Sequence, residues 1–195
     1  LFAKEGVAVN SFYRPYEMNY FNASYSDDAG NLLLYSNGCD IRNQNHQMIP
    51  GTSSLSPGLT NYEWCQIENA GYPIFEGGMF LPFYHDSIVL LLHQQDSIEW
   101  PPVHLYVHTL YYTSVIRQGA NYVLHEKSVP VVNGYLTDGN VEATKAVTQN
   151  AWWVIQGERA SNRYFTILFD AAGIDTVFVQ TIGDTTYRGG AAWQA

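Results

Sequence analysis

One stretch of the chain decides the fold prediction: NLLLYSNGCDIRNQNHQMIPG, residues 31–51. It reads as a buried strand, a tight turn, a second strand and a further turn. The strongest signal is Asn37-Gly38, because Asn-Gly between two strand-like runs is typical of a two-residue hairpin turn in which both residues take a positive φ. A single hairpin cannot bury its own apolar face, so this unit must belong to a larger β-sheet assembly.

The composition of the 195 residues is that of a folded, tyrosine-rich protein. A hydrophobic content of 46% excludes a disordered chain, and only 14% of the residues are charged while 15% are aromatic. These proportions are typical of an all-β protein displayed outside the cell. The net charge of −9 and the lack of a Lys/Arg cluster exclude nucleic acid as a partner. The longest apolar runs are too short to form a transmembrane helix.

The two cysteines, Cys39 and Cys65, predict one disulfide. An even, low count in an acidic, tyrosine-rich chain fits a bridge formed in an oxidising compartment. The alternative is two separate buried thiols. Because the chain begins with Leu1 rather than Met, we expect it to be the mature N-terminal piece of a longer protein.

Segments rich in Val, Ile, Tyr, Phe and Thr recur along the chain, and turn-forming clusters separate them. The predicted strands are residues 20–25, 79–83, 88–93, 104–116, 122–125, 129–132, 152–156, 164–169 and 176–182. Only residues 138–147 offer a helical pattern, a weak one that Gly139 interrupts. The even spacing of strands and turns predicts a sandwich, a barrel or a propeller.

An internal repeat favours the propeller among these folds. Two apolar strands separated by a polar loop occur at residues 87–116 and again at 150–173, and an outer strand follows each pair, at 121–132 and 175–183. We therefore predict one all-β domain over residues 1–195, a partial β-propeller of about three antiparallel blades. The blades are expected at roughly residues 18–70, 71–140 and 141–186, with the start of another at 187–195. Three blades are too few to close a ring.

Four segments carry a family resemblance. They are DDAGNLLLYSNGCDIRNQNHQMIPG (27–51), GYPIFEGGMFLPF (71–83), LYYTSVI (110–116) and AWWVIQGERASNRYFTILFDAAGI (151–174). Together they resemble the N-terminal β-propeller-like domain of large bacterial proteins that the type IX secretion system exports. The resemblance implies a secreted or outer-cell-surface location. It consists of blade motifs rather than a catalytic signature, so it indicates a fold and a location but does not indicate a particular activity.

The resemblance also gives meaning to a tripeptide that occurs four times, Asp followed by Ser or Thr and then by an aliphatic residue or Thr. Bacteria with this secretion system attach O-linked sugars to exported proteins at this tripeptide. The predicted sites are the hydroxyls of Ser87, Ser97, Thr176 and Thr185. Ser97 is the strongest candidate, because residues 94–102 read as a polar, proline-terminated loop. The alternative is that Asp-Ser/Thr is turn chemistry ahead of a strand.

Four aromatic residues are candidates for a surface on which a glycan stacks: Trp152, Trp153, Tyr111 and Tyr112. Adjacent residues on a strand point to opposite faces, so at most one of the two tryptophans faces solvent. The alternative, which we favour, is that these rings pack between adjacent blades.

No residue pattern predicts a metal, a cofactor or a catalytic group. His104 and His108 lie on a predicted strand, which separates them by about 13 Å, too far for one ion. Asp27, Asp28, Asn31 and Asp40 could suggest a calcium site, but the run Asp27 to Asn31 fits a hairpin turn better than a calcium loop. The chain lacks a Gly-x-Ser-x-Gly nucleophile elbow, and no pair of its acidic residues stands out as a glycosidase pair.

We therefore predict a non-catalytic binding or scaffold domain of a larger exported protein. Its expected partner is the remainder of the same polypeptide, or another chain, which covers the open edge of the last blade. A glycan is the ligand class considered. The alternative is a carbohydrate-active enzyme, a glycoside hydrolase-like propeller whose site lies partly in further blades. Carboxylates converging on a pocket would favour the enzyme, and an exposed aromatic face would favour the binding domain.

Overall fold

The fold is described from a computed structural model over residues 16–99, 104–147 and 149–185. These residues form one short π-helix, Asn61–Ile67, and β-strands joined by turns. The strands are β1 (Ala23–Ser26), β2 (Leu32–Ser36), β3 (Ile41–Asn43), β4 (Gly78–Phe83), β5 (Ile88–Glu99), β6 (His104–Gln118), β7 (Asn121–Leu136), β8 (Glu142–Lys145), β9 (Trp152–Gly157), β10 (Arg163–Asp170) and β11 (Gly173–Thr181). No helix in this part of the chain is long and apolar enough to cross a membrane.

The strands form three separate antiparallel sheets in which neighbours in the chain are neighbours in space. The first sheet contains β1 to β3, the second contains β4 to β7 and the third contains β8 to β11. The all-β prediction is confirmed. None of the three sheets closes on itself within the described residues, so their arrangement as propeller blades stays a proposal.

The internal repeat corresponds to equivalent positions in two sheets. The first copy supplies β5 and β6, the two middle strands of the second sheet, and the second copy supplies β9 and β10, the middle strands of the third. The outer strands of the repeat are β7 and β11, each at an edge of its sheet. The repeat therefore encodes the same meander twice.

Strand β5 of the second sheet is buried on both faces. Residues 89–93 of β5 are each 0% exposed, and alternate residues of a strand point to opposite faces, so both faces of β5 are covered. One face packs on the third sheet, where the ring centroids of Tyr112 and Phe169 lie 6.0 Å apart. On the other face, His93 reaches Ser56 in the loop that follows the first sheet. The second sheet is thus the middle layer of a stack.

An amide pair joins the second and third sheets inside the core. Gln94 on β5 donates from Nε2 to Oε1 of Gln156 on β9 at 2.7 Å, and both residues are fully buried. Gln94 Oε1 accepts from the backbone N–H of Gly139 at 2.8 Å, and Gln156 Nε2 donates to Oγ1 of Thr137 at 2.9 Å. An unpaired buried amide group costs roughly 1–3 kcal/mol, so this network holds the two sheets in one register.

The hairpin predicted at Asn37-Gly38 forms, but its turn differs from the prediction. Ser36 pairs with Ile41, so four residues connect β2 to β3, and of these only Gly38 has a positive φ, +83°. The expected two-residue turn is therefore wrong. The Asn37 side chain accepts a hydrogen bond from the backbone N–H of Cys39 at 3.1 Å, and this local bond supports the wider loop.

The disulfide between Cys39 and Cys65 is confirmed, and the alternative of two separate thiols is wrong. The bridge spans 26 residues and its Cα atoms lie 5.6 Å apart. It ties the hairpin loop to the π-helix, which the sequence analysis did not predict. Closing a loop of this length stabilises the fold by about 3 kcal/mol in the chain-entropy model.

Two further segments differ from what their local sequence pattern indicated. Residues 138–147 contain the strand β8 instead of a helix, because partly buried Ala143 points inward between the exposed Glu142 and Thr144 and the strand pairs with β9. The strand predicted at 88–93 continues to Glu99. Its polar continuation is possible because Gln94 finds hydrogen-bond partners inside the core.

His93 is a titratable group sealed in this core. Its Nδ1 lies 2.8 Å from Oγ of Ser56, and its Nε2 lies 3.0 Å from Oγ1 of Thr113. The ring stacks on Tyr111, with centroids 5.7 Å apart. Burial, with a smaller effect of the Lys127 charge, lowers the pKa of His93 from 6.5 to about 3. Between about pH 6.5 and pH 3 the imidazole of His93 therefore stays neutral in the folded protein, whereas the same side chain binds a proton in the unfolded chain.

We predict that this residue makes the fold sensitive to mild acid. The unfolded chain binds a proton at His93 below pH 6.5 and the folded protein does not, so the free energy of unfolding falls as the pH drops from about 6.5 toward 3. The loss is roughly 2 kcal/mol between pH 7 and pH 5. Urea unfolding of the wild type and of His93→Gln at the two pH values measures it.

His125→Gln, at an exposed position of β7, is the matched control. We expect His93→Gln to lose this part of the acid sensitivity and His125→Gln to keep it. Equal losses of stability in the wild type and in His93→Gln would show that the imidazole does not titrate in this way.

Candidate functional site

The open side of the third sheet is the first candidate site. We use this name for the edge strand β11 together with the face that carries Ile155 and Phe178. Ile155 and Phe178 are 45% and 49% exposed, while Ile167 and Phe169 on the opposite face are fully buried. The ring of Trp153 lies 6.2 Å from that of Phe178 and extends the apolar face. One face of the sheet is therefore used in the core and the other is not.

The edge strands of the second and third sheets differ in how they are protected. β7 carries exposed Lys127 and Pro130, and its register with β6 shifts at four places. Charge, proline and bulges are the features by which edge strands avoid further pairing. β11 has one bulge near its start and one charged residue, Asp175, while Val177 and Val179 stand exposed. Among the described strands none pairs with the outer edge of β11, and an edge without such protection can accept another strand.

The four predicted stacking residues do not share one surface. Tyr112 is only 4% exposed and donates from its hydroxyl to Glu126 at 2.8 Å, so its ring is unavailable to a ligand. Tyr111 is half-buried on His93, and Trp152 packs inward and donates from Nε1 to the carbonyl of Pro82 at 3.0 Å. Trp153 lies on the other face of β9, in the open side.

A different aromatic cluster forms beside the π-helix. The ring of Tyr20 contacts both Trp64 and Phe75 edge-on, with centroids 5.3 and 5.0 Å apart, and Phe75 is half exposed. These residues lie far apart in the sequence, and no local pattern connects them. Only the folded chain brings them together.

The predicted glycosylation residues fall into two pairs. Ser87 and Thr185 are exposed, each in or next to a turn. Thr176 lies within β11 and Ser97 within β5, opposite Tyr106, and both are half-buried. The loop predicted around Ser97 is wrong, because β5 runs to Glu99 and pairs with β6 along this length.

The metal-ligand candidates are also placed. His104 and His108 lie on β6, a strand as expected. Asp27 forms a turn, because its Oδ1 accepts hydrogen bonds from the backbone N–H groups of Ala29 and Asn31 at 3.0 and 2.8 Å, which confirms the turn interpretation. No cluster of three or more metal-ligating side chains occurs in the described part of the chain.

Two carboxylates that the sequence analysis did not single out line one small cavity. The cavity has a volume of about 120 Å³ and contains Asp96 and Asp138 in its wall. Asp96 accepts a hydrogen bond from the hydroxyl of Tyr72 at 2.6 Å, and Asp138 pairs with Arg159 at 3.5 Å. Burial raises the pKa of both carboxyl groups. The two aspartates are 42 residues apart in the sequence, so no local motif could have indicated that they lie in one cavity.

A larger pocket of about 450 Å³ opens beside the first sheet and is lined by residues including Tyr16, Tyr35 and His46. The sequence analysis did not assign a role to any of these three residues. The volume of this larger pocket lies within the range of roughly 300–1,000 Å³ that is usual for ligand pockets. The volume of the cavity that contains Asp96 and Asp138 lies below that range.

Comparisons with protein-family models, curated proteins and solved structures gave no match for this chain. The resemblance to exported propeller domains therefore rests on the sequence segments quoted above and stays a proposal. The open side of the third sheet, the aspartate cavity and the larger pocket are the features from which a function can be argued.

Proposed function

We propose that this chain is a binding or scaffold domain without catalytic activity, part of a larger protein that the type IX secretion system exports to the outside of a bacterial cell. In this proposal the three sheets are consecutive blades of a β-propeller. The open side of the third sheet docks on a further β-blade of the same polypeptide. The observation that carries the proposal is the pairing of an apolar face with an unprotected edge strand.

The way the sheets are covered supports the docking. Strand β5 of the second sheet is buried on both faces, whereas the third sheet buries Ile167 and Phe169 on one face and exposes Ile155 and Phe178 on the other. Its exposed face carries Ile155 and Phe178, the same kind of side chains that the buried face uses in the core. A sheet with two apolar faces gains stability only when each is removed from water, so a second neighbour is expected.

The location rests on separate support. The disulfide between Cys39 and Cys65 fits an oxidising compartment, and the tyrosine-rich, weakly charged composition fits a protein outside the cell. The resemblance of the four quoted segments to exported propeller-like domains is the basis for proposing type IX secretion as the export route. These three observations agree with one another without depending on the docking surface.

The alternative, a carbohydrate-active enzyme, has one observation in its favour. Asp96 and Asp138 converge on one cavity, and burial raises the pKa of each, as a general acid requires. The volume of about 120 Å³ has room for water molecules but is well below the size of a usual ligand pocket. The open side of the third sheet therefore supports the binding domain more strongly.

We predict that the 195-residue chain alone associates through β11. Val177→Lys/Val179→Lys places two charges on the edge strand, where natural edges carry lysine, and should raise the dissociation constant by about tenfold or more. Sedimentation velocity over a range of protein concentrations measures this association.

Tyr84→Lys/Ile67→Lys is the matched control, because both side chains are exposed and apolar and lie outside the third sheet. It should leave the association unchanged. A wild-type chain that stays monomeric at high concentration and unfolds in one cooperative transition would contradict the docking proposal.

We also predict O-linked sugars on Ser87 or Thr185 in protein purified from its native host. A transferase needs an exposed hydroxyl, and these two residues are exposed while Ser97 and Thr176 are half-buried in strands. Peptide mass spectrometry measures the added mass. Ser53, exposed but preceded by Thr52, is the control within the same digest and should carry none. Unmodified peptides at all four predicted sites would remove the glycosylation proposal.

A further inference from the structure

The pocket of about 450 Å³ lies between residues 16–18 and the outer face of the first sheet. Ser24 on β1 is paired with Tyr35 on β2, and both line the pocket. The opposite face of the same strands carries Leu34, which is fully buried in the core. The pocket therefore belongs to the side of the first sheet that points away from the second.

The Tyr16 ring, one wall of the pocket, is fixed by a polar network. Its hydroxyl lies 2.7 Å from Oδ1 of Asn37 and 2.7 Å from Oδ1 of Asp40. The guanidinium of Arg42 stands over the ring, 3.9 Å from its centroid, and pairs with Asp40 at 3.2 Å. Burial, with the Asp40 charge adding to it, raises the pKa of Tyr16, so the hydroxyl stays protonated.

A second wall is equally constrained. The hydroxyl of Tyr35 lies 3.1 Å from Nδ1 of His46, and the two rings meet edge-on. Tyr35 also meets Tyr16 edge-on, with centroids 5.5 Å apart. Rings held by hydrogen bonds and by each other lose little conformational entropy when a ligand arrives, which is the requirement for a preorganised site.

The rim and the charge of the pocket indicate what it accepts. Asn22 and Ser24 are exposed and place an amide and a hydroxyl at the pocket wall, beside the apolar Met18. The Asp40 carboxylate is compensated by Arg42, so this pair adds no net charge to the wall. Tyr35 is only 8% exposed, so the half-buried rings of Tyr16 and His46 offer the aromatic surface of the pocket. Such a surface with a few hydroxyl and amide groups suits a ligand with an apolar ring face and a rim of hydroxyls.

We propose that this pocket binds a neutral mono- or disaccharide. The inference rests on the proposed function as a binding domain and names the ligand class of one site. It places the glycan site at Tyr16, Tyr35 and His46, away from the tryptophans on β9.

The test is a titration of the 195-residue chain with glucose, galactose, mannose, N-acetylglucosamine, lactose and maltose, followed by nuclear magnetic resonance. At least one of these sugars should shift the ring signals of Tyr16, Tyr35 and His46 in a saturable way. Ser24→Trp and, separately, Asn22→Trp fill the pocket from exposed positions and should weaken binding by about tenfold or more.

His125→Trp, at an exposed position of β7 in the second sheet, is the matched control and should bind as the wild type does. Three results would overturn the proposal: no shift with any of the six sugars, unchanged binding in both pocket variants, or contacts from residues 1–15 that fill the pocket and persist when sugar is added. The docking variants on β11 leave this pocket intact, so a failure here is distinguishable from a failure of the docking proposal.

Discussion

The burial of strand β5 on both faces is the constraint on which the rest of the structure depends. Strand β5 has fully buried side chains on each side, including polar His93 and Gln94, and these point to opposite neighbours. His93 finds Ser56 on one side and Gln94 finds Gln156 on the other. Because these bonds add to those that His93 makes with Thr113 and Gln94 makes with Gly139, the order and register of the layers are fixed by hydrogen bonds as well as by apolar burial.

The third sheet also carries apolar side chains on both faces, but only one of these faces is packed in the core. Ile167 and Phe169 on one face of this sheet are buried, whereas Ile155 and Phe178 on the other face are exposed. The edge strands β7 and β11 also differ in the features that prevent pairing with a further strand, which supports docking at β11. A strand edge that carries Lys127 and Pro130 is built to remain free, whereas β11 lacks these features. The first sheet differs again, because its outer face forms a wall of the pocket beside Tyr16, whose hydroxyl is held by Asn37 and Asp40.

Several elements could be predicted from the sequence because they depend on local patterns. The hairpin at Asn37-Gly38, the repeated meander and the turn at Asp27 each follow from residues close together in the chain. The disulfide followed from the cysteine count and the composition. The hairpin, the meander and the turn depend on interactions between residues close in sequence, and two cysteines allow only one pairing.

The errors have a common physical origin in contacts between distant residues. β5 extends through Gln94 because a partner 62 residues later satisfies its amide, and this also places Ser97 in a strand. The β8 strand forms because β9 offers it an edge, which outweighs the weak helical pattern of its sequence. The aspartate cavity and the tyrosine pocket each combine residues from separate elements, so no local signal marked them.

We expect β5 to be fully covered in the isolated chain and β11 to gain a neighbouring strand only when the chain associates. Hydrogen exchange measured by mass spectrometry tests this expectation most directly, on the chain at a concentration where it is monomeric and at one where it associates. Exchange should be slow throughout β5 in both states, and exchange in β11 should be fast in the monomer and slower on association. Exchange in β11 as slow as in β5 in the monomer, or unchanged on association, would contradict it.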